Sequence, residues 1–162
     1  MAALVLAGCS GSPNLLSYFP SADALPDGVE PLATSDPEFR LANLTLRMDG
    51  NPGRVGLLDA LGDGKFDNVT ALYLWLLRDG EGSGGYAVVV AEFRSLEDAD
   101  AASALANPAK SCSGEDYALA LRDGRVFILV TASGGRGSAR QATIVESIAD
   151  EIDLRTGAQR IC

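Results

Sequence analysis

The densest run of side chains with a chemistry of their own is Asp59-Ala60-Leu61-Gly62-Asp63-Gly64-Lys65-Phe66-Asp67. Aspartates at its first, fifth and ninth positions can gather carboxylate oxygens around one point, and Gly64 at the sixth permits the sharp turn between them. That is the donor set a hard cation such as Ca²⁺ takes. Asp and Gly are also what a solvated turn requires, so the same residues read as a polar hairpin connection. A second run, Ser133-Gly134-Gly135-Arg136-Gly137-Ser138, leads into an expected helix. Its amides, the positive helix end and Arg136, with Arg140 nearby, make Gly135, Arg136, Gly137 and Ser138 a weak candidate for holding an anion. The run lacks the Walker lysine and completes no dinucleotide fingerprint, so a plain connector is the simpler reading. The remaining reactive side chains are three thiols, Cys9, Cys112 and Cys162.

What is missing narrows the chemistry further. The chain has no histidine, so a Ser-His-Asp or Cys-His relay, a histidine zinc site and an imidazole acid or base are all excluded. Catalysis would fall to carboxylates, tyrosine, arginine or a thiol, and no constellation of these stands out. Glu97, Asp98 and Asp100 crowd one short segment and read as a solvated helix face. The 162 residues suit one domain with a tail. A net charge of −9, with no run of Lys or Arg longer than one residue, argues against nucleic acid as a partner.

Residues Ala2 to Ala7 are apolar or small and run into Leu6-Ala7-Gly8-Cys9, followed by Ser10-Gly11-Ser12-Pro13. This resembles the lipobox of bacterial lipoproteins. The resemblance implies that Cys9 is diacylated and becomes the first residue of the mature chain, exported and anchored at the cell envelope. It departs from a full signal peptide in having no Lys or Arg before the motif and a short apolar stretch, so residues 1–8 read as a truncated signal-like segment. If Cys9 carries lipid, Cys112 and Cys162 remain as an even pair in an exported chain, which reads as a disulfide. Such a bridge would pin the C-terminus, with an upper value of about 4 kcal/mol for closing a loop of roughly 50 residues. In a cytosolic chain the same two residues would be unpaired thiols.

The aspartate loop is similar to the calcium loop of integrin-type FG-GAP repeats. That resemblance implies Asp59, Asp63 and Asp67 as side-chain ligands, Lys65 as a carbonyl ligand and Gly62 and Gly64 as turn residues. Leu61 stands where the family supplies Asn or Asp, and the loop occurs once instead of repeating around a propeller. Bound Ca²⁺ would be weak and would stiffen the hairpin.

The elements that must position these residues follow from periodicity. Residues 9–37 form the lipid-anchor cysteine and a Pro/Ser-rich segment, read as a tether or as an irregular wrap in which Leu15, Leu16, Tyr18 and Phe19 pack on the body. Residues 38–162 form a single α+β domain. Ala42 to Met48 alternate as a half-buried strand, and Arg54 to Asp59 resume as a second. Val69 to Leu77 and Tyr86 to Phe93 are apolar on both faces, as strands in the middle of a covered sheet are; Tyr73 and Trp75 belong to the first of them. Asp79 to Gly85 is a flexible hairpin loop. Ser95 and Asp98 open a helix with Leu96, Ala99, Ala102 and Leu105 on one face. Tyr117 to Leu121 and Arg125 to Val130 flank a hairpin signature at Asp123-Gly124. Ser138 and Gln141 form a capping box for a helix with Ala142, Val145, Ala149 and Ile152 in one stripe. The expectation is about six antiparallel strands covered on one face by two helices.

Two functions fit. One is an envelope lipoprotein acting as a binding or interaction module for an envelope protein or small ligand, stabilised by calcium. The other is a carboxylate-based envelope hydrolase with a metal at the aspartate loop, which would need an open coordination position and a nearby acid or base.

Overall fold

The two longest apolar runs form adjacent strands in the middle of one antiparallel sheet, paired from Val69↔Phe93 to Arg78↔Gly85. The computed structural model describes residues 14–31, 46–47, 68–81, 84–105, 118–133 and 138–161. In chain order the elements are β1 (Val29–Pro31), β2 (Leu46–Arg47), β3 (Val69–Asp79), β4 (Gly85–Phe93), α1 (Leu96–Leu105), β5 (Ala118–Asp123), β6 (Val126–Ser133), α2 (Ala139–Thr156) and β7 (Gln159–Arg160). Across the sheet they run β1-β3-β4-β6-β5-β7, with β2 also on β3. β4 occupies one edge of β3, so β1 and β2 share the other: β1 at Leu77 to Asp79 and β2 at Ala71 and Leu72. This is the α+β class the sequence implies. The expected strand at Arg54 to Asp59 lies outside the described residues, and β1 and β7 are additions the periodicity did not show.

The helices do not share a face. Val88, Val90, Leu121, Ile128 and Val130 pack with Ile144, Val145, Ile148, Ala149 and Ile152 of α2. Val89, Ala91, Phe93, Ala120 and Phe127 pack with Ala99 and Ala102 of α1 on the other side. Topology explains this correction. β4-α1-β5 and β6-α2-β7 each join two parallel strands with one antiparallel strand between them. Both advance the same way across the sheet, but they start from oppositely directed strands. Right-handed crossovers, the near-universal hand, then put the helices on opposite faces. Burial on both sides is why β4 is apolar at successive positions.

Local chemistry sets the element ends. Ser138 Oγ accepts from Gln141 N while Gln141 Oε1 accepts from Ser138 N, the expected capping box, and Gly157 ends α2 with φ of 72°. The buried stripe of α2 includes Ile144 and Ile148 in addition to the expected Val145, Ala149 and Ile152, whereas Ala142 is only half-buried. In α1, Ala99 and Ala102 are buried as expected but Leu96 is 56% exposed, because the helix begins at the rim of the sheet. Ser95 Oγ accepts from Asp98 N at 3.1 Å, but the Asp98 carboxylate answers the Ser95 hydroxyl and not its amide. The β5–β6 turn is Gly124-Arg125, one residue later than the signature suggests: Asp123 still pairs with Val126, and Gly124 takes the positive φ of 55°.

Residues 14–31 wrap instead of trailing. Leu15 and Tyr18 are buried in the α2-side core and Phe19 packs on it, while Leu16 stays exposed. The segment crosses α2 from one end to the other: Arg155 donates to Phe19 O at 2.7 Å and Arg140 to Asp27 O at 3.4 Å. Helix rise places those arginines about 22 Å apart, and the residues from Phe19 to Asp27 reach at most about 27 Å. Residues 14–31 thus form a strap across α2, with a short 3-10 turn at Ala22–Ala24 on the way.

Candidate functional site

A cleft of about 430 Å³ opens at the end of the sheet that holds the Gly124-Arg125 turn, hereafter the hairpin end. Its size is that of a small-molecule site. Ser103 reaches it from α1, Arg122 and Asp123 from β5, and Gln159 and Arg160 from β7. Arg122 and Gln159 are directly opposed across β5 and β7, so their side chains leave the same face of the sheet, the one α1 covers. Arg122 is held on three sides: Nε donates to Gly124 O at 2.9 Å, Nη2 donates to Leu96 O at 3.4 Å, and Nη1 pairs with Asp100. Asp123 accepts from Tyr18 Oη at 2.6 Å, which ties the rim of the cleft to the strap. Burial, and then the Asp123 hydrogen bond and charge, push the Tyr18 hydroxyl well above its ordinary value of 10.0. Arg160 turns to the other face and pairs with Asp150 of α2. The fixed Arg122 guanidinium and the Gln159 amide, on the same face at this opening, can orient a small polar ligand.

The opposite end carries the strongest electrostatic cluster. Asp79, expected in a loop, is the last residue of β3, and its side chain is only 5% exposed. Arg140 grips it with Nε to Oδ2 at 3.0 Å and Nη2 to Oδ1 at 3.1 Å, Glu81 N donates to Oδ1 at 3.0 Å, and Tyr86 Oη donates to Oδ2 at 3.3 Å. The Arg140 hydrogen bonds hold the carboxyl below its ordinary 3.8 against the opposing effect of burial. Burial, with Asp79 next, raises the Tyr86 hydroxyl above its usual value. These bonds join β3, β4, α2 and the strap, so the cluster is a clamp. Gly28, with φ of 79°, lets the strap pass it: a Cβ there would stand 3.2 Å from Arg140 Nη2.

Among the sequence candidates, Asp59, Leu61, Gly62, Asp63, Gly64, Lys65 and Asp67 lie outside the described residues, as do Cys9, Cys112, Cys162, Gly135, Arg136 and Gly137. Of the anion candidate, Ser138 spends its amide on Gln141 and neighbouring Arg140 is committed to Asp79. Ile161 N donates to Ala120 O at 2.8 Å. Cys162 therefore follows a residue anchored near the start of β5, the strand that the Cys112 segment leads into. Tyr73 and Trp75 are half-buried under Phe19, whose ring meets Trp75 edge-on at 5.6 Å and Tyr73 at 6.4 Å. Asp98 accepts from Asn68 Nδ2 at 2.5 Å and Asp100 binds Arg122, so neither converges with another carboxylate.

Compared with protein-family models, curated proteins and solved structures, the chain matches none. The cleft and the clamp both escaped sequence reasoning. Their residues are far apart in the chain, and no local motif marks Asp79, Tyr86, Arg122, Gln159 or Arg160.

Proposed function

We propose that this chain is a bacterial cell-envelope lipoprotein that works as a binding or interaction module, held at a membrane by lipid on Cys9. The observation that carries the reading is Leu6-Ala7-Gly8-Cys9, which ends five residues before the chain joins the body at Asn14. Lipid there would keep the domain at the bilayer on a tether of at most about 17 Å. The cleft beside Arg122 and Asp123 offers a place for a small polar ligand or a partner's side chain. The Asp59, Asp63, Lys65 and Asp67 loop would take Ca²⁺ as a stiffening ion, and Cys112 with Cys162 would close a disulfide at the β7 edge.

Among the described carboxylates, Asp79, Glu92, Asp100 and Asp150 each hold an arginine, and Asp123 holds Tyr18. The test is fractionation of cells expressing the full chain and its Cys9→Ser variant. The chain is expected in the membrane fraction and the variant in the soluble fraction. Identical distribution of the two would refute the anchor.

A further inference from the structure

We propose that the cleft at the hairpin end binds a small zwitterion whose ammonium and carboxylate sit on one carbon, the class of a free α-amino acid with an apolar side chain. This names a ligand for the binding reading above and rests on it. The α1 side of the cleft brings opposite charges together. Arg122 reaches from β5 to α1 and pairs there with Asp100, which stands one helical turn before the lining residue Ser103. A guanidinium has five N–H donors. Three of them go to Gly124 O, Leu96 O and Asp100, so two remain among the described residues. Asp100 meets Arg122 through Oδ1, and its side chain is 65% exposed, which leaves Oδ2 open to a ligand. Gln159 stands opposite Arg122 across β5 and β7. Among the described residues its amide has no hydrogen-bond partner, although it lines the cleft. Ile161, next on the same face of β7, packs half-buried on the α1-side core and gives the cleft an apolar wall.

Charge decides the ligand. The Arg122–Asp100 pair sums to zero, so an anion seated on Arg122 also faces the Asp100 carboxylate, and a cation seated on Asp100 also faces the guanidinium. Either like-charge contact cancels much of what the opposite one gains. A zwitterion laid antiparallel along the pair satisfies both. Its carboxylate meets Arg122 and the Gln159 amide, its ammonium meets Asp100 Oδ2, and its side chain rests on Ile161. Arg122 is only 22% exposed, so its contact is made partly out of water, where charge counts for more. The other charged lining groups, Asp123 and Arg160, turn to the α2 face and hold Tyr18 and Asp150 there.

The experiment follows amide and arginine Nε signals of the isotope-labelled full chain by NMR. L-Leucine, N-acetyl-L-leucine with its carboxylate alone, and L-leucinamide with its ammonium alone are each added to tens of millimolar at pH 6, where all their amines and carboxyls are charged. L-Leucine is expected to shift the signals of Gly124, Gln159 and Arg122 Nε saturably. Each blocked probe should bind at least about tenfold more weakly, having lost one charged contact. Asp100→Asn, a change of similar shape at an exposed position, should weaken leucine about tenfold and remove its advantage over N-acetyl-L-leucine. The wild-type series decides by itself should that variant not fold. No lipid on Cys9 is needed, so the outcome is separate from that of the fractionation test. No saturable shift with leucine, a blocked probe binding the wild-type chain as tightly as leucine, or an advantage unchanged in Asp100→Asn would overturn the proposal.

Discussion

Replacing Asp79 by Asn keeps the shape of the clamp and removes its charge. The mutant amide can still accept from Glu81 N or Tyr86 Oη, but it meets the Arg140 fork with neutral groups and directs an NH₂ at part of it. A hydrogen bond to a charged partner contributes roughly 1.5 to 3 kcal/mol, and the Asp79 side chain is 5% exposed. Arg140 is 44% exposed on its side of the pair, and water there screens the interaction towards the small values of surface pairs. The expected loss is therefore about 2 kcal/mol at pH 7, or on the order of 4 to 8 °C in Tm for a domain of this size. The pH dependence gives the sharper check. Asp79 is held below 3.8 in the fold, so its contribution is full above the unfolded value and is lost as pH falls through the folded one. Urea unfolding followed by Trp75 fluorescence should show the gap between wild type and Asp79→Asn shrinking steadily below about pH 4, where the wild-type carboxyl takes up its proton and comes to resemble the amide. A gap under about 0.5 kcal/mol at pH 7, or one of constant size down to pH 3, would refute the reasoning.

The tyrosines supply an alkaline counterpart. Tyr18 and Tyr86 are raised in the fold, so their stabilisation is present below the ordinary value of 10.0 and is lost as pH rises towards the folded values; absorbance titration should show both ionising only as the chain unfolds, and Tyr18→Phe should cost about 1 kcal/mol by removing the Asp123 bond. Calcium at ten times its dissociation constant should stabilise the chain by about 1.4 kcal/mol, an effect absent in Asp63→Ala and in chelator; no shift in a thermal melt would mean that Leu61 leaves the loop short of a ligand. Non-reducing peptide mapping should recover Cys112 joined to Cys162, with reduction lowering stability by up to about 4 kcal/mol; two free thiols would remove that link.

The sequence was legible where a local rule decided the outcome. Successive apolar residues at Val88 to Ala91 announced a strand covered on both sides, and Ser138 with Gln141 announced the start of α2. The sides taken by the helices were not local. They follow from strand order and crossover hand, so the one-face expectation failed although both helices were found. Leu96 was assigned inward by helical spacing, but the helix starts at the rim, where that position has nothing above it. Asp79 looked like loop because Gly80, Glu81 and three further glycines follow it by residue 85; its partner Arg140 is 61 residues away, a separation no periodicity encodes. The strap was half legible, since Leu15 and Tyr18 are apolar enough to pack but proline and serine around them also suit a tether. The cleft was illegible because β7, two residues long, carries no pattern of its own.

Intact-mass and peptide mass spectrometry of the full chain, recovered from the membranes of a bacterial host, tests the central claim most directly. The account predicts that residues 1–8 are gone and that Cys9 is the N-terminus with a diacylglyceryl group on its thiol. An unmodified Cys9 still preceded by Gly8 would contradict it.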